Sequence, residues 1–210
     1  STTTPADAEN KLVLAVGSEG EYVKSVSGKL RTCITGHHVH QAALEPRIGG
    51  LNLPPEIPET APAGSRMPPL RKFVIRAMQL IGSTPVMHTF TDIGVALNCL
   101  ESFEPTCHDT VYLYGRGESG VAALYRAILD PRVAGVILED APGTHRDGAP
   151  VIGILRAFDI HQAIGLLAPK KVSLITPGHK RCMWSKRLYE RIGQADHFHI
   201  APDLTQALTF

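Results

Sequence analysis

The chain has 210 residues, 43% of them hydrophobic and 20% charged, with a formal net charge of +1 at pH 7. That length supports one α/β domain with a substantial core, and the near-zero charge with dispersed lysines and arginines gives no electrostatic case for nucleic acid or an anionic membrane. No apolar run approaches the ~20 residues needed to cross a bilayer, and the four scattered cysteines, Cys33, Cys99, Cys107 and Cys182, form neither a disulfide framework nor a zinc site.

Residues 1–11 are a polar lead-in that begins at Ser1 without methionine, as expected of a processed product or of a piece of something longer. Leu12 to Val16 then reads as a strand buried on both faces. Tyr22 to Leu30 offers only a weak helix, and Val39 to Leu44 a second strand. From Leu51 to Pro69 prolines are so frequent that no regular element persists, because each ring removes an amide donor and restricts its predecessor. Phe73, Ala77, Leu80 and Ile81 keep helical spacing. After Gly82-Ser-Thr-Pro85, the residues Val86, Phe90, Ile93, Leu97 and Leu100 occupy one helical face. Val111 to Tyr114 is a buried strand, followed by a helical stripe of Val121, Leu124, Tyr125, Ile128 and Leu129 that stops at Asp130-Pro131. Val133 to Leu138 is a strand, 151–167 an apolar helical excursion, and Val172 to Ile175 a strand. Met183, Trp184, Leu188 and Ile192 mark a helix, His197 to Ile200 a last strand, and Asp203 an N-cap. Strands alternating with helices predict a mostly parallel sheet with helices on both faces and ligands at the strands' carboxyl ends.

The segment Val111-Tyr-Leu-Tyr-Gly-Arg-Gly-Glu-Ser-Gly120 carries the most chemical information. A strand that breaks into closely spaced glycines and turns at once into a helix has the design of a nucleophile elbow, where the chain reverses so sharply that neighbouring Cβ atoms would collide. The apex falls on Gly117. A shifted register centres on Ser119 but replaces the closing glycine by Val121. A phosphate-binding loop fits worse, because no Lys-Ser/Thr follows the glycines and Glu118 would repel a phosphate.

With Ala43-Leu-Glu-Pro-Arg-Ile-Gly-Gly50, the helix from Asp92 to Ser102, the Val111–Gly120 turn and Asp130-Pro-Arg-Val-Ala-Gly-Val-Ile-Leu-Glu-Asp140, the chain resembles the α/β-hydrolase superfamily, in the acetyl-xylan-esterase and prolyl-oligopeptidase-like branch found in bacteria. The resemblance runs from about Leu12 to about Ile200, within a single domain expected over 12–210; the first antiparallel strands usual in that fold have no evident counterpart ahead of Leu12, as expected of a fragment or of the second of two related domains. The resemblance also implies a nucleophile at the elbow, an acid after a later strand and a histidine beyond the last strand. Here these positions fall on Gly117, near Gly178 or His179, and near Pro202-Asp203.

The expectation is therefore a degenerate, non-catalytic α/β-hydrolase-like domain that binds, or packs against, an esterase-like companion domain or subunit. The alternative is a carboxylic-ester hydrolase that forms an acyl-enzyme on Ser119, with His199 or His197 as base and Asp140 orienting it. A small acyl ester or carbohydrate is the ligand class implied. No cofactor and no metal is expected: His37, His38 and His40 offer at most two ligands on one strand face, with no acid or thiol to complete them. Glu139 and Asp140 diverge as strand neighbours and read as loop caps, Arg47 as a tie to a carboxylate, and Tyr112 and Tyr114 as packing residues.

Overall fold

A computed structural model describes residues 11–17, 39–47, 70–103, 110–175 and 182–208. Six strands form one parallel sheet: β1 (Lys11–Val16), β2 (Val39–Leu44), β3 (Thr110–Arg116), β4 (Val133–Glu139), β5 (Lys171–Ile175) and β6 (Phe198–Ile200), in the order β2-β1-β3-β4-β5-β6. The helices are α1 (Leu70–Leu80), α2 (Pro85–Phe103), α3 (Glu118–Leu129), α4 (Ile160–Leu166), α5 (Met183–Arg191) and α6 (Leu204–Ala207). The order reverses at β1/β3, and the loops after β3 and β4 leave from neighbouring carboxyl ends.

Alternation along each strand divides the core between the two faces. Leu12, Leu14, Leu113, Val136, Leu138, Val172, Leu174 and Phe198 join Val86, Ile93 and Leu97 of α2, Val121 and Leu124 of α3, and Ile164 of α4. On the other face Val13, Tyr112, Tyr114 and Ile137 meet Ala201 and Leu204 and Ala207 of α6. Both faces are thus covered by helix, and each fully buried Leu, Ile or Val contributes about 1.5–3 kcal/mol. Tyr112 and Tyr114 pack between sheet and helix, as the sequence predicts.

Local chemistry explains the helix limits. Pro85 opens α2, where its missing N–H costs nothing, and Thr84 Oγ1 accepts the Met87 amide at 3.4 Å. The helices α2 and α3 approach so closely that a Cβ at Gly94 would meet the Arg126 guanidinium at 2.6 Å, where that group lies 5.3 Å from the Phe90 ring centroid.

Several elements depart from their sequence expectations. In α1 the core-facing residue is Met78, whereas Phe73 and Leu80 face outward. The 151–167 excursion is not one helix: Gly153 turns left-handed at φ 79°, a 3-10 turn covers Ile154–Arg156, and α4 restarts at Asp159. There the Asp159 carboxylate accepts the Ile160 amide while Gln162 Oε1 accepts the Asp159 amide, a capping box. In α5 the buried face is Ser185 and Tyr189, not Met183 and Trp184, because Tyr189 Oη donates to the Lys170 carbonyl at 2.8 Å and Ser185 Oγ to that of His161. Asp203 caps α6 through the Gln206 amide at 2.9 Å, as expected. The weak helix from 22 to 30 and the proline-rich stretch 51–69 lie outside the described residues.

Candidate functional site at the strand-to-helix bend

The bend after β3 has the geometry its glycines demand. A Cβ at Gly115 would stand 2.7 Å from the Gly120 nitrogen and Cα, so strand and helix backbones touch there and only glycine fits. Gly117 sits at the apex with φ 56° and ψ −127°, in a region L-residues rarely adopt. Its amide donates to the Glu139 carbonyl at 2.9 Å. A Cβ built at Gly117 meets nothing within 4 Å: the apex has room for a side chain and carries none.

The surrounding charges are already paired. Arg116 Nε and a terminal guanidinium nitrogen each reach Asp140 Oδ2 at 3.0 Å, and Arg116 Nε stands 3.9 Å from Glu139 Oε1. Tyr114 Oη donates to the second Glu139 oxygen. Asp140 adopts φ 47°, tolerable for a short polar residue, while its amide donates to the Ile175 carbonyl at 3.0 Å. The adjacent carboxylates thus share one guanidinium and cap the loop ends.

Each candidate residue has a defined place. Ser119 is buried in the first turn of α3, two residues beyond the apex, at 3% exposure. His197 lies in the 3-10 turn Ala195–His197, with Nδ1 2.5 Å from the Pro169 carbonyl oxygen. Pro169 precedes β5, so this imidazole is at the amino edge of a parallel sheet and the bend is at the carboxyl edge. His199 is exposed on β6 in register with Ser173. It alternates with Phe198, which enters the α3 side of the sheet, and so belongs to the α6 side. From β3 to β6 is three strand spacings, about 14 Å. The structure therefore brings Asp140 beside the bend and places His197 and His199 away from Ser119. The positions Gly178 and His179 lie outside the described residues, as do His37 and His38, while His40 is exposed on β2. Among the described residues no group of three His, Cys, Asp or Glu could hold a metal.

A network that the sequence reading missed holds the loop after β4 against α3. Glu118 Oε1 accepts the amide of buried Ala149 at 3.2 Å. His145 Nδ1 and the Ala149 carbonyl oxygen are 2.6 Å apart, and the other ring nitrogen meets Tyr125 Oη. Asp159 accepts from Thr144 Oγ1 and, at 2.9 Å, from the His145 amide. These bonds and the amide of Ile160 hold the Asp159 carboxyl below its ordinary pKa, although burial, the largest single effect, opposes them. Burial, followed by the Asp159 charge, pushes the Tyr125 phenol well above its usual range. The Asp-x-x-Gln spacing could have signalled Asp159. No local pattern announces a bond between Tyr125 and His145, 20 residues apart.

With this geometry in place, the chain can be set beside solved structures. A candidate acetyl xylan esterase from Bacteroides fragilis matches with a TM-score of 0.68 at 13% identity, covering 91% of this chain and 58% of its own. A carbohydrate esterase family 15 glucuronoyl esterase from Caldicellulosiruptor kristjansonii gives 0.53 at 14% identity, over 90% of this chain and 61% of its own. An acylaminoacyl peptidase from Pyrococcus horikoshii gives 0.56 at 11% identity, over 95% and 33%. This chain spans less than two thirds of the length of each. No protein-family profile matches the sequence, and it has no significant relative among curated protein sequences. The chain has the α/β-hydrolase fold.

Proposed function

We propose that this chain is a degenerate α/β-hydrolase-type domain that performs no acyl transfer at its bend and acts by binding or packing beside an esterase-like companion domain or subunit. One observation carries the reading: the apex backbone is shaped for a projecting nucleophile, space lies in front of it, and the residue there is Gly117. Catalysis by such a bend needs a nucleophile and a base within hydrogen-bond reach, and both histidine candidates are directed elsewhere. Leu166 and Trp184, each about half exposed on the adjoining α4 and α5, supply apolar surface for a companion to cover. The competing reading is an acyl-enzyme on Ser119 with Asp140 and His199 or His197. It draws support from Ser119 lying next to the bend and from Asp140 at the end of the neighbouring strand.

Turnover of p-nitrophenyl acetate by the parent chain and by Ser119→Ala separates the two. Equal, buffer-level rates are expected, together with no fluorophosphonate adduct on the Ser119 peptide. Turnover abolished by Ser119→Ala would overturn the proposal.

A further inference from the structure

Away from the bend, a cavity of about 480 Å³ opens between the first turns of α2, the C-terminal half of α3 and the 151–158 segment. Tyr125, on its wall, is seven residues along α3 from Glu118, about 10 Å of helix. The volume lies in the range of small-molecule sites, which combine apolar walls with a few polar groups. Val86, Phe90, Leu129, Ile154 and Phe158 form the apolar walls, and among the described residues no lysine, arginine or carboxylate lines it.

Polar groups gather at one point. Ser83 Oγ and His88 Nε2 stand 3.0 Å apart. The other two hydroxyls in the wall are engaged, that of Thr91 with the Met87 carbonyl and that of Tyr125 with His145. The proton inventory then decides which guest fits. If Ser83 donates to His88, neither contact atom has a proton left for a guest. If His88 donates to Ser83, the serine O–H is free to donate onward to a guest, and His88 is the one basic side chain among the described wall residues. An anionic acceptor selects this second state, whereas a neutral guest gains little from it.

We propose that this cavity binds a hydrophobic monocarboxylate, its carboxylate on Ser83 and His88 and its chain between α2, α3 and the 151–158 segment. At about 30 Å³ per heavy atom, the share of one water molecule in the liquid, the volume holds roughly 16 atoms, enough for an eight-carbon acid. The inference is independent of the bend, so the esterase experiment on Ser119 and the one that follows can fail separately.

The test is calorimetric titration of the intact chain with octanoate, hexanoate and 1-octanol, with His88 ring resonances followed by NMR. One octanoate is expected to bind per chain and to shift those resonances. Hexanoate should bind about 15-fold more weakly, at about fourfold per methylene. Octanol should bind at least tenfold more weakly than octanoate to the parent, a gap that should close in His88→Ala. Met87→Glu, at a half-exposed wall position, should abolish octanoate binding while leaving the thermal melt unchanged, which covers the case of a poorly folded His88→Ala. Absence of heat and of His88 shifts up to the solubility limit would overturn the proposal. So would octanoate and octanol binding equally to the parent, which would mean an apolar guest with no head-group recognition.

Discussion

Two glycines of the bend can be told apart by substitution, because the structure gives each a different reason to be glycine. In Gly115→Ala the new methyl would stand 2.7 Å from Gly120 main-chain atoms and 2.8 Å from the Ser119 carbonyl carbon. All are backbone, so no rotamer change relieves the overlap and the first turn of α3 must lift off β3. Overpacking costs about 1–3 kcal/mol and occasionally more; for a backbone clash at 2.7 Å the expected loss is about 3 kcal/mol or above. In Gly117→Ser the side chain enters space with nothing within 4 Å, so only the strained dihedral remains, about 1–3 kcal/mol. At roughly 2–4 °C per kcal/mol for a chain of this size, Gly117→Ser, at about 2 kcal/mol in the middle of that range, should melt about 4–8 °C below the parent, and Gly115→Ala, at about 3 kcal/mol or above, about 6–12 °C below or not accumulate. Urea unfolding followed by circular dichroism and by the fluorescence of Trp184 measures both. A reversed order, or a Gly117→Ser variant as stable as the parent, would refute the bend geometry. The same variant probes chemistry: folded Gly117→Ser should not form a fluorophosphonate adduct on the new hydroxyl, since His197 is held at the amino edge of the sheet by the Pro169 carbonyl and His199 lies on β6, three strands from β3.

Asp130, 4% exposed, accepts bonds from both Arg126 and Arg132, so Asp130→Ala should lose about 3–5 kcal/mol in urea unfolding. Arg132 above all, then Arg126, holds that carboxyl well below the ordinary range against the opposing effect of burial. A depressed folded pKa contributes stability that is complete above about pH 4 and lost as pH falls below it, and Asp130→Asn should flatten the acid limb of a pH–stability profile. Burial pushes the Tyr125 and Tyr189 phenols above their usual range. The unfolded chain ionises them first, so stability should fall as pH rises past about 10, with the phenolate absorbance of these two tyrosines appearing on unfolding. Asp159→Ala removes a helix cap and the anchors of Thr144 and the His145 amide; a loss of about 2 kcal/mol or more, read by urea titration, is expected from a cap worth ~1 kcal/mol and two further bonds.

Much of the fold was legible because it is written in short-range pattern. Leu12–Val16, Val111–Tyr114, Val133–Leu138 and Val172–Ile175 are apolar runs that fit only strands covered on both sides, and they are the sheet's central strands. The tie from Arg47 was also foreseen: its Nε meets Asp92 Oδ1 at 2.6 Å, with Asp92 nearly buried. Patterns were less decisive where polar bonds set the facing of a helix. Trp184 outweighs Tyr189 in any hydrophobic stripe, yet Tyr189 is buried, because its hydroxyl can reach the Lys170 carbonyl. His197 and His199 form a pair only if both belong to the strand. The 3-10 turn at Ala195–His197 removes the first, and the alternation that would have placed them on one face no longer applies.

The bend itself shows why its shape does not depend on a reactive group. Its conformation is fixed by the backbone contact of Gly115 with Gly120, by the Gly117 amide on the Glu139 carbonyl, and by Glu118 holding the amide of Ala149. None of these involves a side chain at position 117. A nucleophile there would have to bear the dihedral strain, and its neighbours would have to offset it; glycine removes the strain and leaves every holding contact in place. Packing alone is enough to maintain the bend, so its presence reports the fold, and the chemistry depends on whether an imidazole stands opposite. In this chain the carboxylates at the end of β4, Glu139 and Asp140, are turned toward Arg116 rather than toward an imidazole.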